Sequence, residues 1–308
     1  MSGNAGADQP QSIPGRNFKR TIGSIVGLCL FAGAVAFAAR NGGNPTELIA
    51  KVRASPAWLI ALAVVLPALN WCLISLSFLV PMRRYARITF VEMLAVIGAA
   101  WLLNYLPLRP GLFGRLAYHK TVNGVSLKDS IFVTLLGMAC SAVAVLFTLA
   151  VAAMLPSGSP VVHWALCLAA APALAAAAIP VLQPRGQAWI PTTFLLRYAD
   201  LLVWIARYWV VFGLAQRPVG LAAATSFAAI CQASIVIPFI GNGLGIREWA
   251  IGLAAANLPS AIAQAGMSMP DAVAAELLNR AAEVVVAIPV GLAGMAWLAR
   301  HNLAESKL

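Results

Sequence analysis

Ionisable residues interrupt the last apolar stretch of the chain at helical spacing. Glu276, Arg280 and Glu283 are four and three residues apart, which places them on one face of a helix. Charged side chains inside apolar helices are costly in a membrane, so they are expected to pair and to mark functional positions. Because the arginine fork suits phosphate, the pattern indicates either binding of an anionic group or internal ion pairs that orient helices.

Two motifs rich in proline and glycine, residues 104–115 and 234–248, supply further arginines. Each motif breaks an apolar stretch with a proline and glycines before its arginine. In membrane proteins, interrupted helices at corresponding positions of two halves point to a binding site. The alternative is a pair of ordinary loops between spanning helices. The residues expected to shape the broken helices are Asn104, Pro107, Gly111, Pro238, Gly243 and Gly245.

The second motif ends in Arg247 and Glu248, directly after its glycines. A helix that begins there would present free backbone amides and the positive end of its dipole. Together with Arg247 and Arg280, these groups would form a cradle for an anionic lipid head group.

Other charged residues lie inside apolar stretches as well. Arg197, Asp200 and Arg207 project to one helix face, and we interpret Arg197 and Asp200 as an ion pair that orients helices, with a functional role as the alternative. Glu92 has no partner nearby in the sequence. The chain contains no HExxH, P-loop or GxSxG pattern, and its three histidines are scattered. We therefore expect no cofactor, no metal site and no enzymatic activity.

The composition is that of a polytopic helical membrane protein. Of the 308 residues, 61% are hydrophobic and 10% are charged, where a soluble domain has about 25% charged residues. The basic residues behind the net charge of +11 flank apolar stretches, so lipid head groups rather than nucleic acid are the expected partners. The five cysteines lie in apolar stretches without a CxxC pair and imply neither disulfides nor zinc.

The apolar stretches predict an all-α transmembrane bundle of about 7–9 segments. A polar tail at 1–20 and a short tail at 301–308 flank a single domain at 21–300, with repeat-like halves at about 57–155 and 193–299. The predicted spanning stretches are 21–39, 57–81, 88–107, 129–155, 161–182, 193–215, 219–240 and 273–299, with a shorter one at 245–257.

Basic residues predict the orientation. Arg83, Arg84 and Arg87 should be cytoplasmic, as should the N-terminus. If 88–107 simply spans, Arg109, Arg115, Lys120 and Lys128 fall outside, against the positive-inside rule. A stretch that dips in and returns keeps them cytoplasmic. We prefer this re-entrant arrangement, in which the two halves enter from opposite sides, and keep a spanning 88–107 as the alternative.

The two motifs resemble those of the integral-membrane, flippase-like region of bacterial lysylphosphatidylglycerol synthases and its stand-alone relatives, over most of residues 20–300. The sequence departs from the family pattern where Leu112 replaces a glutamate and where the helix that follows lacks an arginine. The aminoacyl-transfer domain is also absent from this sequence, so the resemblance implies lipid handling rather than lysyl transfer. The matching residues are Asn104, Pro107, Arg109 and Gly111, then Pro238, Gly243, Gly245, Arg247 and Glu248, then Arg280.

These observations predict a multi-pass protein of the bacterial inner membrane that binds an anionic phospholipid, or a glycolipid or hopanoid-type lipid, and translocates it between leaflets. One alternative is an ion- or proton-coupled transporter of a small solute, with Glu92 and Glu248 as proton carriers. Another is a non-transporting accessory to a lipid-modifying enzyme. The predicted head-group ligands are Arg109, Arg115, Arg247 and Arg280, and the acids that orient them are Glu248, Glu276 and Glu283.

Overall fold

The computed structural model describes residues 14–41, 45–106, 109–155, 159–236, 241–257 and 267–305. Every regular element in these ranges is a helix, which confirms the predicted all-α class. The α-helices are α1 (Pro14–Asn41), α2 (Pro45–Ala54), α3 (Ala57–Met82), α4 (Phe90–Leu103), α5 (Pro110–Thr121), α6 (Leu127–Met154), α7 (Val161–Leu182), α8 (Trp189–Leu214), α9 (Leu221–Val236), α10 (Ile246–Asn257) and α11 (Met269–Glu305).

Four of the described helical segments are long and apolar enough to cross a membrane: Ala57–Met82, Leu127–Met154, Val161–Arg185 and Met269–His301. They identify the chain as a membrane-embedded protein. α8 has comparable length, 26 residues, but carries three charged residues and lies at the centre of the bundle. α4 is different because its 14 residues extend about 21 Å, less than the roughly 30 Å of a hydrocarbon core.

The first motif folds as a helical hairpin, in which α5 returns along α4. A Cβ atom at Gly111 would lie 2.0 Å from the carbonyl oxygen of Ala100, so only glycine permits this approach. The open end of the hairpin is closed by Glu92, whose Oε1 accepts hydrogen bonds from Asn123 at 2.7 Å and Tyr118 at 3.3 Å. The start of α4 and the end of α5 therefore lie together.

The second motif also forms a hairpin, from α9 and α10. Asn242 and Gly243 turn the chain with positive φ angles of 47° and 67°. A Cβ atom at Gly243 would lie 3.2 Å from the carbonyl oxygen of Ser234, which brings the turn close to the end of α9. The prolines expected to break these helices, Pro107 and Pro238, lie outside the described residues.

The two hairpins enter the bundle from opposite ends of α6, a helix of 28 residues and about 42 Å. The open end of the first hairpin leads directly into α6, where Val125 packs with Phe78 and Met82 of α3. The start of α9 packs instead at the far end of α6, where Leu221 joins the cluster around Val151 and Trp164. The described residues beside the two turns, Tyr105 and Asn242, both lie next to Arg280 inside the bundle.

α11 packs closely along the first hairpin. A Cβ atom at Gly294 would lie 2.5 Å from the carbonyl oxygen of Ala95, and one at Gly291 would lie 2.3 Å from Cβ of Leu102. Small residues at such contacts let helix backbones approach, which is how membrane helices gain packing energy without a hydrophobic driving force. α11 also contacts α10, so it borders both hairpins.

Candidate functional site

A cavity of about 600 Å³ lies where the two hairpin tips meet, and residues of α3, α4, α5, α6, α8 and α9 complete its wall. Its volume is that of a site for a small ligand or a lipid head group. The lining combines apolar side chains such as Trp71, Ile97 and Val145 with charged ones. The charged lining residues are Arg109, Arg115, Arg197, Arg207 and Arg247, with the acids Asp200 and Glu283.

Glu283 of α11 is the centre of a buried ion-pair network. Its Oε1 accepts a hydrogen bond from Nη2 of Arg207 at 2.5 Å, and Nη1 of Arg247 lies 3.2 Å from both of its carboxylate oxygens. The hydroxyl of Tyr105, just beyond α4, donates to Oε2 at 3.2 Å. One carboxylate thus joins α8, α10, α11 and the tip of the first hairpin.

The rest of this network holds α10 against α11. Arg247 of α10 donates a hydrogen bond to Glu276 of α11. In the opposite direction, Nε of Arg280 on α11 donates to Oε1 of Glu248 on α10 at 2.9 Å. Nη1 of Arg280 also donates to the backbone carbonyl of Asn242 at 3.1 Å, which fixes the turn of the second hairpin. These charges are almost fully buried, so each must be paired to be tolerated.

A second group of arginines has no such matching acids. Arg115 is 7% exposed, donates from Nη2 to the hydroxyl of Thr134 at 2.8 Å, and lies over the Phe78 ring, 3.8 Å from its centroid. The guanidinium of Arg197 lies 5.2 Å from the centroid of the same ring. Arg109 stands at the tip of the first hairpin with a φ of 50°. Within the described part of the chain, Nε of Arg109 and Nε of Arg197 are buried without a hydrogen-bond partner.

Asp200 differs from its sequence-based interpretation. It forms no ion pair with Arg197 in the described structure, because its carboxylate instead accepts from Nδ2 of Asn70 at 2.6 Å. Oδ1 of Asn70 in turn accepts from Nη1 of Arg207 at 3.2 Å. Asn70 was not singled out from the sequence, although an asparagine inside the apolar stretch 57–81 is a polar signal that could have found it.

Most predicted ligands meet at the cavity, but not all. Asn104, Arg109, Arg115, Arg247 and Glu283 line it. Arg280, expected to bind a head group, is engaged behind the wall by Glu248 and Asn242 and is not among the described lining residues. Glu248 and Glu276 hold the arginines, while Gly111, Gly243 and Gly245 lie in the hairpins. Sequence reasoning did not include Arg197, Arg207, Asp200, Asn70 and Thr134 in the site.

Glu92, considered above as a proton carrier, lies at the open end of the first hairpin. Its bonds to Tyr118 and Asn123 hold that end together, and Asn123 also bonds Nδ1 of His119 at 2.8 Å. Glu92, Tyr118, Asn123 and His119 all lie outside the described lining of the cavity. Glu92 therefore has a clear role in closing the hairpin.

The part of the cavity wall that α6 contributes includes exposed side chains. Met138 and Leu146 both line the cavity and are 40% and 67% exposed, and Ala142 between them is exposed too. These side chains are spaced at one helical turn, so they form a single apolar strip. The cavity wall therefore combines arginines with an exposed apolar strip on α6.

No cluster of three or more His, Cys, Asp or Glu side chains that could hold a metal ion occurs in the described ranges. Comparison of the chain with protein-family models, curated proteins and solved structures found no match.

Proposed function

We propose that the protein binds an amphipathic lipid with an anionic head group and moves it between the leaflets of the bacterial inner membrane. The observation that carries this proposal is the amphipathic cavity, whose wall combines arginines with an exposed apolar strip on α6. The resemblance to the flippase-like region of lysylphosphatidylglycerol synthases supports the same function. No catalytic step is part of it.

The exposed apolar strip on α6 favours a lipid over a water-soluble solute. α6 is one of the four helices long and apolar enough to span, so Met138 and Leu146 would face hydrocarbon rather than water. A lipid could place its head group among the arginines while its acyl chains remain in the bilayer. Desolvation of an anionic head group is costly, and charge-assisted hydrogen bonds from guanidinium groups offset that cost.

The hairpins provide access from both leaflets. One tip reaches the cavity from each end of α6, so a displacement of either hairpin would open the cavity toward a different leaflet. Non-helical backbone at this depth is tolerated where it borders protein or a water-filled cavity. The direction of movement would follow a gradient or the consumption of the transported lipid.

The re-entrant arrangement predicts the sidedness of two basic residues. In a variant without the native cysteines, we expect Arg87→Cys and Lys120→Cys to be labelled by a membrane-impermeant maleimide from the same, cytoplasmic side. The reason is that α4 and α5 return to one end of the bundle, where Glu92 bonds Asn123. Arg217→Cys, beyond the far end of α8, should be labelled from the opposite side. Labelling of Arg87→Cys and Lys120→Cys from opposite sides would rule out the re-entrant hairpin.

Lipid movement in proteoliposomes tests the proposed function. Wild-type protein should accelerate the exchange of phosphatidylglycerol or cardiolipin between leaflets more than that of a neutral lipid. Arg115→Gln should slow the anionic lipid by about tenfold or more, since it removes charge-assisted hydrogen bonds to the head group. Arg217→Gln is the matched control, because Arg217 is half exposed and lies outside the cavity.

Each negative outcome points to a different function. Folded protein that moves no lipid but takes up a solute in a pH-dependent way would replace this proposal with a proton-coupled transporter. Folded protein that moves neither would favour an accessory that holds a lipid for a modifying enzyme. Glu248 is engaged by Arg280 and does not belong to the described lining of the cavity, so the structure gives no support to a role as proton carrier there.

A further inference from the structure

The arginines inside the bundle fall into two sets that differ in how their charges are balanced. In the first set, each arginine has a glutamate within ion-pair distance, and the numbers of positive and negative charges are equal. This set holds α8, α10 and α11 together and has no charge left for a ligand. Its members are Arg207, Arg247 and Arg280, with Glu248, Glu276 and Glu283.

The second set carries an excess of positive charge. Arg109, Arg115 and Arg197 line the cavity, and Asp200 is the one lining carboxylate that the first set does not use. Three guanidinium groups and one carboxylate leave two positive charges uncompensated in the described wall. Asp200 is moreover held by Asn70, so it makes no ion pair with any of the three.

The geometry of this second set fits a bound anion. Arg115 and Arg197 approach the same Phe78 ring, so two like charges lie near each other, and neither forms an ion pair with a carboxylate of the described residues. Like charges repel strongly away from bulk water, and an anion between them converts that repulsion into attraction. The buried Nε groups of Arg109 and Arg197 have no hydrogen-bond partner in the described chain, which is also true of single nitrogens of Arg207 and Arg247 in the first set, and a bound anion would supply an acceptor.

We propose that the cavity selects a head group that ends in a doubly charged phosphoryl group, a phosphomonoester or a diphosphate. This inference rests on the lipid-binding function proposed above and narrows its substrate class. A phosphomonoester carries about −1.5 to −2 charges at pH 7 and three strong acceptor oxygens. Its charge therefore matches the excess of two positive charges in the wall. Its three oxygens can accept hydrogen bonds from the three arginines, Arg109, Arg115 and Arg197.

Other head groups match the wall less well. A phosphodiester such as phosphatidylglycerol carries a single negative charge, which leaves one of the two excess positive charges uncompensated. A zwitterionic or aminoacylated head group would add a cation among three arginines, which costs free energy in a buried site. The wall thus selects against the cationic head groups that lysyl transfer produces.

Binding to the purified full-length protein tests this selectivity directly. Phosphatidic acid and phosphatidylmethanol with identical acyl chains differ by one methyl group and one charge, and their affinities can be compared in detergent by native mass spectrometry. We expect phosphatidic acid to bind at least about tenfold more tightly, the effect of additional charge-assisted hydrogen bonds. Equal affinities would overturn the proposal. Inorganic phosphate that displaces phosphatidic acid at equal concentration would overturn a lipid as the source of the phosphoryl group.

Two substitutions with opposite effects locate the site. Arg197→Gln removes one excess charge and should reduce the preference for phosphatidic acid to about threefold or less. Asp200→Asn keeps an oxygen that can accept the hydrogen bond from Asn70. Because it removes a negative charge from the wall, it should strengthen the binding of both anionic lipids. Arg217→Gln, outside the cavity, should change neither affinity. A preference unchanged in Arg197→Gln, with thermal stability like that of wild type, would overturn the assignment.

Failure of the proposed charge selectivity and failure of the proposed lipid movement give different results. Selective binding of phosphatidic acid without its movement in proteoliposomes would uphold the charge selectivity and overturn translocation. Movement of anionic lipids with equal affinities for phosphatidic acid and phosphatidylmethanol would uphold translocation and overturn the selectivity.

Discussion

Glu283→Gln is expected to be the most destabilising single change in the ion-pair network. Glu283 is 2% exposed and lies within 4 Å of Arg207, Arg247 and Arg280, with its shortest contact of 2.5 Å to Arg207. Glutamine keeps the size of the side chain but removes its negative charge and directs an amide donor toward arginines. Loss of one partner from a buried ion pair typically costs about 3–5 kcal/mol. The measurement is the thermal or chemical unfolding midpoint in detergent.

A compensating substitution and a surface control test whether the loss of stability comes from the unbalanced buried charge. Arg207→Met added to Glu283→Gln restores the balance of charge and should recover part of the lost stability. Arg217→Gln breaks the half-exposed pair with Asp271 at 3.3 Å and should cost no more than about 1 kcal/mol. If Glu283→Gln unfolds like wild type, or the double variant is no more stable than the single one, the network does not stabilise the fold.

Gly111→Ala is expected to force α4 and α5 apart. The added Cβ atom would lie 2.0 Å from the carbonyl oxygen of Ala100, and the obstacle is rigid helix backbone rather than a movable side chain. The tip of the first hairpin must then shift, and with it Arg109 and Arg115. We expect a lower unfolding midpoint, with a loss of stability of about 1–3 kcal/mol, together with slower lipid movement.

Gly114→Ala is the matched control for this change. Gly114 lies on the same helix, but nothing approaches a Cβ atom at that position within 4 Å. Alanine is the better helix former, so Gly114→Ala should leave the fold intact or stabilise it slightly, by up to about 1 kcal/mol. Comparable stability and lipid movement in the Gly111→Ala and Gly114→Ala variants would contradict the close approach of α4 and α5.

The sequence predicts the bounds of the long helices better than it predicts how α5 packs back on α4. The predicted stretch 161–182 coincides with α7, and 57–81 matches α3 to within one residue, because long apolar runs between polar breaks define such helices. The predicted spanning stretches pass from 88–107 directly to 129–155, yet α5 (Pro110–Thr121) lies between them as a helix that packs on α4. Its polar residues give no sign of the contact between Gly111 and Ala100, which exists only once α5 packs on α4.

For the site, the sequence indicates which charges are buried but not which ones pair. Arg280 shares a helix face with Glu276 and Glu283, so local spacing alone indicates a pair with either of these acids. In the structure its contact with Glu283 is 3.9 Å, whereas its contact with Glu248 of α10 is 2.8 Å. The closer partner of Arg280 is therefore Glu248, on the other side of the interface between α10 and α11. Such distant partners follow from packing, which local spacing does not encode.

α11 has a mechanical consequence through its contacts with both hairpins. Near Gly291 and Gly294 its backbone abuts α4, and through Glu276 and Arg280 it holds α10. Packed interiors are nearly incompressible and transmit strain. A tilt of this single helix would therefore displace both hairpins together rather than one of them alone.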